Sequence, residues 1–322
     1  MRAEVQTGAE AAAGPAGAGS TTDEEVDVVE TAHRTETEMT AAIEKAADQA
    51  LGTDEARAGL RRLIQTDGVC GLPGAFPREW GQRLGEDVEA AFAEAHARPG
   101  GSVSRGRNRW YVEIHPEALR GFVDLVDHPW VRAVSEAVLG PDYAIVEVGF
   151  DIPFPGAIDQ PWHRDFPSPR ETREERRLTS LAFNVTTVDT EPDMGPFEIA
   201  PGTQFDDGPE FDHGMFPAKS LWGRYEELAV RKYPKLGDIS ARSALTIHRG
   251  TTNHSQKSRP VLVLGVDGPE ADNAAHHDLA VTHGYWESLP ERVRAHLHCP
   301  VVDTLVPITQ KHTIEGLVMG EE

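Results

Sequence analysis

A histidine and a carboxylate two residues apart are the first feature of this sequence that could perform chemistry. His163 and Asp165 lie in the segment QPWHRDFPSP, just after a predicted turn. Residues i and i+2 of an extended backbone point to the same side, so both side chains can reach one metal ion. A neutral imidazole and a carboxylate suit ferrous iron, and a second histidine would complete a site that leaves coordination positions open. An isolated His-x-Asp tripeptide is undemanding, however, and needs further context.

The segment LTIHRGTTNHSQKSRPVLVLGV supplies both a second histidine and an arginine. His248 ends one predicted strand, and Arg259 begins the next strand eleven residues later. An arginine beside a metal site can form a bidentate pair with a carboxylate, which lysine does less well. His254 is the alternative third ligand, but it falls in the turn between the two strands. We therefore favour His248 as the ligand.

Helical patterns precede these motifs and occupy residues 53–140. The clearest predicted helix is Pro129–Leu139, which has one apolar face. Asp127 or His128 is its predicted N-cap, and Gly140 followed by proline ends it. These helices are expected to pack on the part of the chain that carries the metal ligands.

Strand patterns follow the helices from residue 141 to about residue 270. Apolar, β-branched runs with a period of two alternate there with turns. Helices followed by many short strands, without strand-helix alternation, indicate an α+β chain that is mainly β, with a sandwich or barrel as its second part. Residues 271–322 are a predicted C-terminal extension.

Residues 1–52 form a predicted acidic tail that is mostly disordered and rich in alanine and glycine. No aromatic residue occurs before Phe76, so this segment has little with which to pack. A transient helix over Glu36–Ala50 is the local structure that it could form. Residues 53–322 are then expected to fold as a single catalytic domain.

The overall composition excludes several classes of protein. The chain of 322 residues has 31 basic and 53 acidic residues, a net charge of −22 that would repel a nucleic acid backbone. It shows neither a spanning apolar segment of roughly 20 residues nor a leader pattern, which predicts a cytoplasmic protein without membrane association. Two cysteines are too few for a disulfide framework. The oligomeric state is not indicated.

Three motifs in order resemble the phytanoyl-CoA dioxygenase family of 2-oxoglutarate oxygenases. They are HRD at residues 163–165, MGPFEIAPGTQF at residues 194–205 and HRGTTNHSQKSRP at residues 248–260. The resemblance spans about residues 69–266 and implies a double-stranded β-helix, a jelly-roll core behind N-terminal helices. One departure is Gln204, which stands where the family usually has a histidine and which puts only the local loop geometry in doubt.

The resemblance also implies roles for individual residues. It makes His163, Asp165 and His248 the ligands of Fe(II) and Arg259 the partner of the C5 carboxylate of 2-oxoglutarate. Weaker candidates for shaping that co-substrate pocket are Ser255, Asn253 and Thr186. The implied reaction uses O2 to hydroxylate a small organic substrate, such as a bacterial secondary-metabolite intermediate, with release of succinate and CO2. Desaturation, ring closure and epoxidation use the same oxidising species and stay open.

Such a reaction requires an enclosed, largely apolar substrate pocket. Aromatic side chains are candidates for its walls, although each would serve equally as a core residue: Trp110, Tyr111, Phe150, Trp162, Phe166, Phe183 and Phe205. Two other functions stay open, a non-redox metal-dependent hydrolase or isomerase and a non-catalytic jelly-roll binding protein. The first has no need for Arg259, and the second has no need for the full ligand set.

Overall fold

The computed structural model describes residues 35–52, 59–60 and 64–311. The helices are α1 (Glu36–Leu51), α2 (Arg78–His96), α3 (Phe122–Val126), α4 (Pro129–Leu139), α5 (Arg170–Glu175), α6 (Trp222–Leu228), α7 (His283–Ser288) and α8 (Glu291–Arg294). The strands are β1 (Val69–Leu72), β2 (Val103–Ser104), β3 (Arg109–Glu113), β4 (Ala144–Pro153), β5 (Ser180–Thr186), β6 (Phe197–Ile199), β7 (Phe211–Asp212), β8 (Phe216–Pro217), β9 (Val230–Lys232), β10 (Ile239–Ser243), β11 (His248–Gly250), β12 (Val261–Asp267), β13 (Val281–Thr282) and β14 (Val301–Val302). None of the described helices combines the length and the hydrophobicity that crossing a bilayer requires.

Seven strands form one antiparallel sheet, here called the major sheet, in the order β1-β10-β5-β12-β4-β3-β2. Successive side chains along each strand point to two different environments, as β4 shows. Val148 and Phe150 are fully buried in the main core, whereas Glu147 and Asp151 line a cavity on the other face. The core face packs against helices, and Trp130 of α4 meets Phe183 of β5 edge-on at 6.1 Å between ring centroids. The major sheet therefore separates a helical core from the cavity.

Three strands form a second antiparallel sheet, the minor sheet, in the order β11-β6-β9. A single antiparallel bridge adds His163 to its edge opposite His248. The two backbones exchange hydrogen bonds of 3.0 and 2.8 Å between the N–H of each residue and the carbonyl of the other. The predicted α+β class is thus confirmed, and the structure shows that both sheets are antiparallel.

The predicted division between helices and strands at residue 140 is wrong on both sides. Helices α5 and α6 lie inside the segment predicted as strands. Strands β1, β2 and β3 lie inside the segment predicted as helical, and all three belong to the major sheet. They are short and are separated by long helices and loops, so no run of alternating residues marks them in the sequence. In the predicted C-terminal extension, β13 and β14 pair in parallel, and residues 312–322 lie outside the described part.

The predicted disordered tail ends earlier than residue 52. Helix α1 starts with a capping box in which Thr35 and Glu38 cap each other's backbone N–H groups. Met39 and Ile43, one turn apart, are buried in the main core. An amphipathic helix of this kind is stabilised mainly by its packing partner, which its own sequence does not reveal. The predicted disorder of residues 1–34 concerns residues outside the described part.

The predicted helix Pro129–Leu139 and its His128 cap are confirmed. The His128 imidazole is 1% exposed, and its Nδ1 accepts from the N–H of Trp130 at 3.1 Å. Its Nε2 donates to the Ala75 carbonyl at 3.3 Å, which ties α4 to the chain before α2. Burial lowers the pKa of His128 from 6.5 to about 4.

We expect His128 to make the stability of the fold depend on pH. Between the two pKa values the unfolded chain binds a proton that the native state excludes, so the free energy of unfolding falls as the pH falls. The loss attributable to His128 is about 2 kcal/mol between pH 7.5 and pH 5. His128→Asn keeps a capping acceptor but cannot titrate, so its unfolding free energy from denaturant titrations should fall less over this range. An equal fall of the unfolding free energy with pH in the wild type and in His128→Asn would contradict this role of His128.

Candidate metal and co-substrate site

The three predicted metal ligands converge in the structure. One ligand atom from each of His163, Asp165 and His248 lies within 4.8 Å of the others. The backbone bridge between the two histidines sets their side chains side by side, with ring centroids 4.4 Å apart. Asp165, two residues after His163, points to the same side, and its Oδ1 lies 3.4 Å from Nε2 of His248.

Hydrogen bonds orient both imidazoles for metal binding. Nδ1 of His163 donates to the Pro161 carbonyl at 2.8 Å, and Nδ1 of His248 donates to the Thr246 carbonyl at 2.8 Å. These bonds require the proton on Nδ1 and leave the Nε2 lone pairs for a metal. Burial, with a contribution from His248, lowers the pKa of His163 well below its usual range, and burial also lowers the pKa of His248. Both rings are therefore neutral, as ligation requires.

Arg242 of β10 forms a bidentate ion pair with the carboxylate of Asp165. Its Nη1 lies 2.7 Å from Oδ2, and its Nη2 lies 3.2 Å from Oδ1. Burial alone would raise the pKa of Asp165, but Arg242 and His248 outweigh burial and lower the pKa. The carboxylate is thus both ionised and fixed in orientation. Two neutral imidazole nitrogens and one ionised carboxylate, all beside one cavity, fit a ferrous ion.

Sequence reasoning missed Arg242. A weak signal for it exists in the strand sequence ISARS, where Ile239 and Ala241 face the core and Arg242 must face the other way. A charged residue on a buried strand, at a position that faces away from the core, suggests a functional site. Its partner could not be deduced, because the sequence does not reveal which segment lies across the cavity from β10.

Arg259 reaches the same cavity from two residues before β12. The cavity has a volume of about 1000 Å³ and is lined by the three ligands, Arg242 and Arg259. Nε of Arg259 donates to the Gly195 carbonyl at 3.0 Å, and within the described residues its two terminal nitrogens make no hydrogen bond. Burial, followed by repulsion from Arg109, lowers the pKa of Arg259 to about 10, so the group stays charged. This guanidinium fits a carboxylate ligand.

The weaker co-substrate candidates have different positions. Thr186 lines the cavity, although its hydroxyl donates to the Val188 carbonyl at 3.0 Å. Asn253 and Ser255 do not line it. The Asn253 amide donates to the Pro153 and Lys257 carbonyls, and its Oδ1 accepts from Ser255. The prediction that these two residues shape the pocket is therefore corrected, since they brace the turn that leads into Arg259.

His254 is not part of the metal cluster. Its side chain is exposed, and its backbone N–H donates to the Asp193 carbonyl at 2.7 Å. The turn after β11 points it away from the cavity. Gln204 is fully buried, and its amide donates to the Gln65 carbonyl at 2.8 Å, so it fastens the loop on which a family histidine usually lies.

Of the predicted aromatic wall residues, only Tyr111 and Phe166 line the cavity. The others lie elsewhere: Phe150 and Phe183 in the main core, Trp110 against His96, Trp162 in a smaller cluster with Tyr225, and Phe205 beneath the Arg176 guanidinium. Strand alternation explains the error, because neighbours of cavity-facing residues point to the opposite face. Polar side chains of the major sheet, among them Glu147 and Asn184, share the wall with apolar ones.

The structure is similar to solved structures of iron- and 2-oxoglutarate-dependent enzymes. The non-haem α-ketoglutarate-dependent epimerase SnoN from nogalamycin biosynthesis has a TM-score of 0.53 at 18% identity, over 67% of this chain and 82% of that chain. The carbocyclase SnoK from the same biosynthesis has 0.52 at 15%, over 65% and 83%. EctD from S. alaskensis with bound iron has 0.54 at 16%, over 67% and 79%. At these identities the likeness establishes the fold alone.

The sequence matches one family model over more than half of its length. The model is that of phytanoyl-CoA dioxygenase (PhyH), and the match covers residues 64–261. No curated protein matches the chain. The matched segment contains the three metal-ligand candidates and Arg259. The chain belongs to the phytanoyl-CoA dioxygenase family and is a non-haem iron oxygenase that depends on 2-oxoglutarate and O2.

Proposed function

We propose that this enzyme hydroxylates a C–H bond of a small organic substrate, with Fe(II) held by His163, Asp165 and His248 and with 2-oxoglutarate held by Arg259. The observation that carries the proposal is that these four side chains, from distant parts of the sequence, line one cavity. A non-redox metal enzyme would have no use for a buried arginine beside the metal site. A binding protein would have no use for neutral imidazoles with free Nε2 atoms.

The residues of the chain have separable roles in this chemistry. When bound, iron and 2-oxoglutarate would activate O2, the oxidant, which takes two electrons from 2-oxoglutarate as it becomes succinate and CO2 and two from the substrate C–H bond. The carbonyls of Pro161 and Thr246 keep each imidazole proton on Nδ1. Arg242 keeps Asp165 ionised and oriented. The burial of His163 and His248 limits the access of water to these two ligands, which protects a reactive site from side reactions.

The size and the polarity of the cavity favour a substrate with several hydrogen-bonding groups. A volume of about 1000 Å³ is at the upper end of ordinary ligand sites. Glu147 accepts from the Tyr111 hydroxyl, and both side chains line the cavity. A compound of the size of a secondary metabolite fits these features better than a simple amino acid does. One SnoN structure contains a nogalamycin compound as an example of such a ligand in that protein.

We further infer that the major and minor sheets are the two faces of a double-stranded β-helix in a single catalytic domain. The bridge at His163 brings a fourth segment to the minor sheet. Residues lining the cavity come from both sheets, for example Phe197 and His248 from the minor sheet and Asn184 and Val263 from the major sheet. This arrangement supports a jelly-roll core with the metal site between its sheets.

The metal-ligand assignment predicts a difference between two histidine variants. Anaerobic addition of Fe(II) and 2-oxoglutarate to the wild-type protein should produce the weak visible charge-transfer band of the chelate. His248→Ala should abolish this band because one of three ligands is lost, whereas His254→Ala should retain it because that side chain is exposed. Loss of the band in the His254 variant alone would show that His254, in the turn, is the third ligand.

Hydroxylation itself is tested by the mass of the product. Candidate substrates are first screened by coupled formation of succinate, and the product of a stimulating compound is then analysed by mass spectrometry. We expect a product heavier than the substrate by one oxygen atom, with one additional exchangeable hydrogen in deuterated solvent, since an epoxide has the same added mass but no new hydroxyl group. A product lighter by two hydrogen atoms would indicate desaturation or ring closure, and an isomer of unchanged mass would indicate epimerisation. Either result would keep the enzyme class and overturn hydroxylation.

Removal of the Arg242 charge should make metal binding more sensitive to acid. Arg242 lowers the pKa of Asp165 and of His248. Both pKa values rise in Arg242→Met, so protons compete with the metal at a higher pH. In Co(II) titrations, the loss of affinity from pH 8 to pH 6 should be about fourfold larger in this variant than in the wild type, the effect of returning His248 to an ordinary pKa of about 6.5, while Asp165 adds to the loss at lower pH. Arg231→Met, which removes an exposed arginine, is the matched control, and equal losses in all three proteins would refute the role of Arg242.

A further inference from the structure

Three cations line the cavity without a carboxylate partner. They are Arg259, Arg105 and Lys232, the last residue of β9. Within the described residues none of the three forms an ion pair with an aspartate or a glutamate. Lys232 Nζ donates to the Ser240 hydroxyl at 2.6 Å, and Arg259 Nε donates to backbone carbonyls. The Arg105 guanidinium lies 5.1 Å from the centroid of the Tyr111 ring, so all three cations have neutral partners only.

Other cations of the cavity have anionic partners, which makes the difference informative. Arg109 pairs with Asp151 at 3.1 Å, and Arg242 pairs with Asp165 at 2.7 Å. A charge removed from water is costly unless it is paired. Uncompensated positive charge in a binding cavity therefore indicates that an anionic ligand completes the site.

The electrostatic state of Lys232 agrees with this interpretation. Burial, followed by repulsion from Arg242, lowers the pKa of Lys232 to about 8, and Arg259 adds to the repulsion. The ammonium group is still mostly charged at neutral pH. An anion bound between the two cations would relieve this repulsion.

The position of Lys232 relates it to the metal site through Phe197 of β6. The Phe197 ring stacks on the His248 imidazole at 5.0 Å between centroids, and Lys232 Nζ lies 5.4 Å from the centroid of the same ring. Lys232 is also opposite Phe197 in the strand register. Arg259 bonds to the Gly195 carbonyl, two residues before Phe197. Both cations therefore contact the chain at or just before the start of β6, whose Phe197 contacts a metal ligand.

We propose that Lys232 is a second cationic ligand for the distal carboxylate of 2-oxoglutarate, which it shares with Arg259. The inference rests on the proposed function, in which Arg259 already binds that carboxylate. No motif of the sequence marks Lys232. The assignment follows from the absence of a counter-ion in the described residues, the shared cavity and the contact with Phe197.

A purely structural role is the alternative that the experiment must separate. Lys232 of β9 in the minor sheet donates a hydrogen bond to Ser240 of β10 in the major sheet, so it could serve only to connect the sheets. Ser240→Ala removes this hydrogen bond and leaves the charge of Lys232. Lys232→Met removes both, and Lys232→Arg keeps the charge. These three variants form a matched set.

The test uses two ligands that differ only at the distal end. Anaerobic titrations of the Fe(II)-loaded proteins, followed by the chelate band, give the affinity for 2-oxoglutarate and for 2-oxopentanoate, which has a methyl group in place of the distal carboxylate. Lys232→Met should bind 2-oxoglutarate about tenfold to a hundredfold more weakly, the range for one charge-assisted hydrogen bond. Its affinity for 2-oxopentanoate should change by less than about twofold, because that ligand has no group for Lys232.

The remaining variants complete the test. Ser240→Ala should bind both ligands like the wild type, and Lys232→Arg should recover most of the affinity for 2-oxoglutarate. Unchanged affinity of Lys232→Met for 2-oxoglutarate would overturn the assignment, as would an equal loss for both ligands or an equal loss in Ser240→Ala. A wild-type protein without any chelate band would contradict the proposed function itself, which distinguishes the two failures.

Discussion

Two backbone hydrogen bonds between His163 and His248 hold together segments that are 85 residues apart in the sequence. Closing a chain loop of this length has an entropic cost, and the strand pairs on either side of the bridge must offset it. Antiparallel pairing sets directly opposed side chains close together on one face. The bridge thus sets the separation of the two imidazoles, and Asp165 follows from its place two residues later. The metal site depends on this pairing, which the bonds from the Gln160 N–H to the Gly250 carbonyl and from the Asp165 N–H to the Ala244 carbonyl extend.

The major sheet contributes to both stability and function because successive side chains of its strands point to opposite faces. One face packs Val148, Phe183 and Leu264 into the main core, and the other presents Asn184, Arg242 and similar groups to the cavity. A core of this kind keeps the backbone rigid, so the cavity-facing side chains are held on a rigid support. Arg242 illustrates the consequence, since its guanidinium is held where it meets both oxygens of Asp165.

Features with local causes were predictable from the sequence. The spacing of His163 and Asp165, the turn before Arg259, and the cap and stop of α4 each depend on residues within a few positions of one another. Features that depend on distant partners were not. The face on which Trp110 and Tyr111 lie depends on the register of β3 against β4, and a shift of one residue inverts it. The burial of α1 depends in the same way on a core formed by later helices. The roles of Arg242 and Lys232 become apparent only in the folded structure, where the two sheets face each other.

The charge distribution explains why the cavity needs several cations. The whole chain has a net charge of −22, so its long-range field opposes the approach of a dianion such as 2-oxoglutarate. Salt screens that field over about 8 Å at physiological ionic strength. Inside the cavity, nearby charges act with little screening, and Arg259 and Lys232 lie there without a carboxylate partner. An acidic enzyme can therefore bind an acidic co-substrate, provided that its cavity contains cations without internal counter-ions.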